Sequence, residues 1–312
     1  MKEKLDLVQA LVELYRLTST FLPEDVKQKI KEIREKEDSV LAKKVMESIE
    51  QNIEIAEKKG LPLCEDTGIP IFFIEIPKSF DHKEIKERIL KATEIATEKN
   101  YLRPNAVDSF TQKNSGNCVG EGIPTIYFEQ KEKGGIKFNL LLKGGGSENI
   151  GKTYSLPNPE LNAGRDLDGI RKCVLDAVVK AQGLGCPPTV VSVVIGGSKD
   201  VIAFESKKQL LEKLLFPKGK LPKSTTQGRA STTESGATSL ASEIAKFEEK
   251  LLEEINSLGI GPMGLKGKNT VMEVKTKFLH RHPASFFVEV SFCCWADRRH
   301  SLTWNNGEAE YE

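Results

Sequence analysis

The sequence predicts a mixed α/β (α+β) fold in which N-terminal helices precede a two-lobed domain of mixed sheets and helices. Three observations carry this. Residues 1–60 are rich in charge, with apolar side chains recurring at helical spacing. The run Thr189 to Gly196 (TVVSVVIG) is unbroken and β-branched, as a strand buried on both faces requires. Amphipathic stretches at 82–99, 167–182 and 239–257 alternate with short strand-like runs.

Taken in order, the first segment (1–60) divides into helices at 4–18, 24–36 and 39–59, with Pro23-Glu24-Asp25 as a helix start and Gly60 as a stop. The second (61–312) opens on Cys64-Glu65-Asp66-Thr67-Gly68 and a strand from Ile69 to Ile76. Helix 82–99 follows, then a polar loop from Tyr101 to Asn117. Strands Thr125–Phe128 and Ile136–Leu142 read as a hairpin around Lys133-Gly134-Gly135. Residues 143–164, rich in glycine and asparagine, read as a long loop. Helix 167–182 ends at Gly183-Leu184-Gly185-Cys186-Pro187-Pro188 and leads to the buried strand. Residues 216–240 are polar and read as a flexible excursion. Helix 239–257, the Gly259–Gly264 turn and strands 270–277 and 286–292 then close the chain, the last strand delivering Cys293-Cys294-Trp295-Ala296-Asp297-Arg298-Arg299.

The 312 residues suffice for one large two-lobed domain or two modest ones. A formal net charge of +1 argues against nucleic acid or an anionic membrane as partner. No apolar run reaches the roughly 20 residues of a membrane helix, and the amphipathic N-terminus is not a secretory signal. The expected location is cytoplasmic. Six cysteines, at 64, 118, 173, 186, 293 and 294, form no C-x-x-C pair, which argues against a zinc ribbon or a redox pair. Disulfides are not expected in a cytoplasmic chain.

One motif misleads. Gly146 to Thr153 fits G-x-x-x-x-G-K-T, but a phosphate loop must open a helix. Pro157 and Pro159 forbid that helix here. The glycines still let backbone N–H groups approach a small carboxylate.

The thiols are more informative. The plain reading of a cysteine is a small buried hydrophobe, and it suits Cys118 and mid-helix Cys173. Cys64, Cys186 and Cys294 instead sit at element ends, where cofactor ligands gather. Three thiolates from remote parts of a chain suit an iron–sulfur cluster better than zinc. A four-iron cluster with three thiolate ligands leaves one iron open as a Lewis acid. Cys293 alternates to the face opposite Cys294, so Cys294 is the preferred ligand.

Five motifs in order then resemble the alpha part of the class I, iron–sulfur-dependent fumarate hydratase and tartrate dehydratase family: 61–68, 143–149, 183–188, 259–264 and 294–299. The resemblance covers nearly the whole chain outside 216–240. It implies that Cys64, Cys186 and Cys294 hold a [4Fe–4S] cluster and that Asp66 serves acid–base chemistry. It implies that residue 65 faces substrate, that Arg103 forks onto a substrate carboxylate, and that Gly144, Gly145 and Gly146 contact substrate through the backbone. His282 matches a histidine that approaches substrate, with His280 the alternative register. The family usually carries Gln where this chain has Glu65, and the 216–240 stretch is longer and more polar than expected.

Trp295 reads as packing and His300 as surface; Arg298 and Arg299 read either as partners of surface carboxylates or as arginines near a dianion site. The implied activity is reversible hydration of fumarate to (S)-malate, the alternative being a tartrate or other 2-hydroxy dicarboxylate hydro-lyase. A non-catalytic iron–sulfur sensor is the reading from another class. The resemblance also implies a separate beta subunit, in a hetero-oligomer of two alpha and two beta chains.

Overall fold

The structure, a computed structural model, describes residues 3–4, 6–214 and 234–312. A short strand β1 (Glu3–Lys4) precedes α1 (Leu7–Thr20), whose first turn is capped by the Asp6 carboxylate accepting from Val8 N–H. Helices α2 (Glu24–Lys36) and α3 (Val40–Lys59) follow; α3 starts at a Ser39 cap and stops at Gly60, in the left-handed conformation at φ 64°. Next come β2 (Ile69–Pro77), α4 (His82–Glu98), β3 (Thr125–Lys131), β4 (Ile136–Lys143), the single-turn α5 (Gly145–Asn149) and β5 (Lys152–Ser155). The chain continues through α6 (Leu167–Ala181), β6 (Thr189–Ile195), α7 (Lys199–Gln209), α8 (Glu234–Ser257), β7 (Val271–Phe278), β8 (Phe287–Cys293), β9 (Arg299–Asn305) and β10 (Glu308–Tyr311). No helix among the described residues is long and apolar enough to cross a membrane.

Two mixed sheets result, one ordered β1-β10-β9-β4-β2-β3 and the other β5-β8-β6-β7. Strand periodicity decides which core each residue enters. On β2, Phe72, Ile74 and Ile76 face a core with α1 and α4, while Ile71 and Phe73 face another. On β6, Val191, Val193 and Ile195 face a core with α6 and α8, while Val190 faces the other side. That shared side is one apolar layer: α2 and α3 supply Val26, Ile30, Met46 and Ile49, the first sheet Ile71, Phe73 and Leu141, the second Val190, Met272 and Cys293. Both sheets are therefore roofed on their outer faces and joined through their inner ones.

Several expectations change. Strands β3 and β4 form no hairpin, because β2 lies between them, parallel to β3 and antiparallel to β4. A parallel pair needs a crossover, and α4 with the loop after it supplies it. The chain does not close at β8: β9 and β10 complete the first sheet, with β9 central in it against β4. Residues 143–164 are not all loop, since α5 and β5 lie within them, and α7 was not foreseen. Helix α8 begins at Glu234, so the end of the 216–240 stretch is helical; residues 216–233 lie outside the described residues.

Candidate active site

Strand register places the chemistry at one end of both sheets. The Cys64–Gly68 turn enters β2, whose Ile69 pairs with Lys143 at the end of β4. Cys186 precedes β6, whose Val190 pairs with Cys293 at the end of β8. The segment after Cys294 leads into β9, whose Arg299 pairs with Leu141.

The Cys186 turn is shaped by close backbone packing. A Cβ on Gly183 would stand 2.9 Å from Met263 O and 3.0 Å from Gly264 Cα, so the 183–188 and 259–264 motifs fit only as glycine against glycine. Pro187 O accepts from Met263 N–H at 2.7 Å, and Cys186 O accepts from Trp295 N–H at 3.2 Å. Cys186 is held at φ 52°, a left-handed conformation that a residue with a Cβ adopts only where its surroundings impose it.

Cys64 and Cys294 both come within electrostatic reach of Cys186. Burial pushes the Cys186 thiol up, and negative charge at Cys294, Cys64 and Asp66 pushes it further. The Cys294 thiol is pulled down to about 6, chiefly by a hydrogen bond from the Cys293 thiol, with Arg298 and Lys143 adding positive charge against the effect of burial. Cys293, fully inside the shared apolar layer, is pushed the other way. Cys64 is exposed, whereas Cys186 and Cys294 are half-buried. Cys118 and Cys173 are buried, and burial raises their thiols to about 11 and about 12.

The Asp66 carboxylate is held at both oxygens: Oδ1 accepts from Gly68 N–H at 2.9 Å, and Oδ2 from Gly145 N–H at 2.8 Å. Gly144 sits against it, since a Cβ there would lie 3.1 Å from Oδ2 and 3.5 Å from Arg298 Nη2. The Gly145 N–H is thus engaged with Asp66, and Gly146 is exposed beside Leu184 O. Thr67 Oγ1 accepts from Arg103 N–H at 2.8 Å, which ties the arginine loop to the cysteine turn. Arg103 Nη2 lies 2.9 Å from Glu65 Oε1, with both side chains largely exposed. The carboxylate that replaces the usual glutamine is therefore paired, by an exposed contact worth about 0–1 kcal/mol.

His282 lies elsewhere. It follows β7, which runs parallel to β6 with Phe278 opposite Ile195, the end of that strand remote from Cys186. Seven residues of strand separate the two ends, about 20 Å at the usual rise. His282 is exposed, and its Nδ1 accepts from Ala284 N–H; His280 lies at the same end and is also exposed.

Three neighbours of the site were misread or overlooked in the sequence. Arg298 is buried, not a surface arginine, and its Nη1 donates to Asp66 O at 2.6 Å. Arg299 pairs with the buried Asp297 and the half-buried Asp25. Lys143 is buried and donates to Ser147 Oγ at 2.9 Å, with Glu148 Oε2 at 3.2 Å. Their presence inside the quoted motifs was the available signal. His300 is not plainly at the surface either: burial depresses its imidazole to about 4.

Among the described residues, no group of three or more His, Cys, Asp or Glu is arranged to hold a single metal ion. Sulfurs around one tetrahedral ion crowd to roughly 4 Å of each other, whereas thiolates on separate corners of a cluster stand apart with the cluster between them. Cys64, Cys186 and Cys294, delivered by separate elements, are the thiols at this end of the sheets that such a group would use. Two concavities of about 400 and 480 Å³ flank α4 and do not touch the cysteines.

Residues 8–303 match the family described as fumarate hydratase (Fumerase). The chain belongs to that family. A Geobacillus stearothermophilus protein with the provisional name fumarate hydratase class I is 41% identical over 94% of this chain. This chain spans only 54% of that relative's length. A Methanocaldococcus jannaschii protein provisionally named L(+)-tartrate dehydratase subunit alpha is 37% identical, over 93% of this chain and 94% of its own length. The L(+)-tartrate dehydratase subunit alpha of Escherichia coli (strain K12) is 30% identical, over 95% of this chain and 90% of its own.

Proposed function

We propose that this chain is the alpha part of an iron–sulfur hydro-lyase that reversibly hydrates fumarate to (S)-malate. The observation that carries the reading is the Asp66 carboxylate, fixed by two backbone N–H groups beside three thiols drawn from both sheets. Cys64, Cys186 and Cys294 would hold a [4Fe–4S] cluster, which supplies an open iron as Lewis acid when bound. Asp66 moves the proton at the carbon next to a substrate carboxylate, and its fixed orientation is what general acid–base work needs. Arg103 swings from Glu65 to fork onto a substrate carboxylate, since two exposed side chains part at little cost. The N–H groups of Gly144 and Gly146 remain for the other end, while that of Gly145 orients Asp66. His282 has no part in this arrangement within one chain.

The names of the relatives support a two-part enzyme. Two are called subunit alpha, and the Geobacillus protein is nearly twice as long as its matched region. A separate beta polypeptide, in an assembly of two alpha and two beta chains in the cytoplasm, completes the proposal. Tartrate dehydration is the second reading, favoured by the names of the 37% and 30% relatives. One added hydroxyl is read by few side chains.

The test is anaerobic reconstitution with iron and sulfide, addition of the beta partner, and a panel of fumarate, (S)-malate and L-tartrate. Fumarate and malate turned over ahead of tartrate is the expected result. Tartrate ahead of both selects the second reading. A colourless chain that binds one zinc ion, or a reconstituted pair inert toward all three, refutes the proposal.

A further inference from the structure

Arg298 is 1% exposed, yet it forms no ion pair with a carboxylate among the described residues, and its Nε has no hydrogen-bond partner. Its neighbours differ. Arg299 has Asp25 and Asp297, and Lys143 has Glu148. A buried guanidinium without a counter-ion is expensive unless something else offsets its charge.

The surroundings show what does. Nη1 donates to the carbonyl of Asp66, two residues after Cys64. The Arg298 carbonyl accepts from Leu142 N–H at 3.0 Å, at the end of β4. Nη2 lies beside Gly144, and the positive charge reaches Cys294. One side chain therefore bonds the segment after Cys294 to the Cys64 turn, with its charge directed at the thiol site.

We infer that Arg298 is a positioning residue for the iron–sulfur site: it sets the spacing of the Cys64 and Cys294 segments and supplies the fixed positive charge that offsets the thiolates and cluster. This rests on the iron–sulfur reading above. Arg298 acts through the cysteines and Asp66 and needs no contact with substrate. Lysine at this position would keep a charge but lose the rigid fork.

The experiment uses the full chain, reconstituted anaerobically as wild type, Arg298→Lys and Arg298→Met. Two readouts apply: the rate at which a chelator strips iron, and the reduction potential of the cluster from a spectroscopic titration. Loss of an outer partner commonly costs about 10–100-fold in metal affinity, so both variants should lose iron at least about tenfold faster than wild type. Arg298→Met should also shift the potential to more negative values, because a cation no longer favours the reduced cluster. Arg298→Lys should keep it near wild type. A role in folding alone would not separate charge from fork in this way. Stripping rates equal to wild type, or equal potentials for Met and Lys, overturn the inference. If Arg298→Met does not fold, the Arg298→Lys stripping rate decides alone. A wild-type chain that takes up no cluster instead refutes the underlying reading.

Discussion

Replacing Gly68 with alanine tests whether the Asp66 turn is held as tightly as its geometry implies. Gly68 adopts φ +83°, and a Cβ there would stand 2.8 Å from Lys143 C and 2.9 Å from both Leu142 C and Lys143 N. All three are backbone atoms of β4, and a paired strand has no free rotation with which to yield. A left-handed backbone costs a side chain about 1–2 kcal/mol, and overpacking adds about 1–3 kcal/mol. The sum is about 2–5 kcal/mol, a large share of a typical domain's stability. Gly60 is the control: its φ is +64° and nothing lies within 4 Å of its Cβ position, so alanine there meets only the backbone term. The assay is chemical denaturation of the metal-free chain, followed by circular dichroism. Gly68→Ala should exceed Gly60→Ala by about 1–3 kcal/mol. Equal midpoints would falsify the claim that β4 and the Cys64 turn are in rigid contact.

Two other outcomes are expected. Burial, with added repulsion from Glu273 and Glu212, raises the Glu248 carboxyl to about 7 from an ordinary 4.5, against the pull of its hydrogen bonds from Thr276. The folded state therefore holds a proton that the unfolded chain releases, so stability falls as pH rises from about 4.5 to about 7. The loss is at most about 3 kcal/mol at 1.36 kcal/mol per unit. Glu248→Gln keeps the acceptor, so it should be more stable than wild type at alkaline pH and equal to it in acid; denaturation midpoints with the same offset at both pH values would contradict this. Asp66→Asn keeps the shape but leaves a single acceptor oxygen for the two backbone N–H groups of Gly68 and Gly145, and it cannot accept a proton. It should lower kcat by about 10²–10⁴ while iron and sulfide content stay at the wild-type level; undiminished kcat removes Asp66 from proton transfer.

What the sequence made legible follows from what is local. The helices at the N-terminus and at 82–99 and 167–182 announce themselves through apolar spacing, and the structure adds the caps Asp81 and Asp166. Strand β6 shows through its β-branched run. Pairing is not local, and so the glycines at 134–135 suggested a hairpin although β2 separates the two strands. Strand β9 was missed because it carries Arg299, His300 and Trp304 among small polar residues, a composition that reads as surface. Its burial comes from α1 and β4, which are distant in sequence. The five motifs located the end of the sheets where Cys64, Asp66, Cys186 and Cys294 meet. They did not reveal that Arg298 points inward, since a lone arginine gives no sign of its neighbours. His282 was assigned from the match of its Arg281-His282-Pro283 turn to the family, and a local match does not show that the turn lies beyond the far end of β6 from Cys186.

The single apolar layer between the two sheets has a consequence for how this protein holds together. Cys64 hangs from one sheet and Cys186 and Cys294 from the other. Anything that grips all three works as a clasp across the seam, and its binding energy adds directly to resistance against the halves parting. Without such a clasp, the apolar layer of residues such as Phe73, Leu141 and Val190 and polar ties such as Arg298 to Asp66 O would hold the halves together. The seam should then be the first place where protease or hydrogen exchange finds the backbone open.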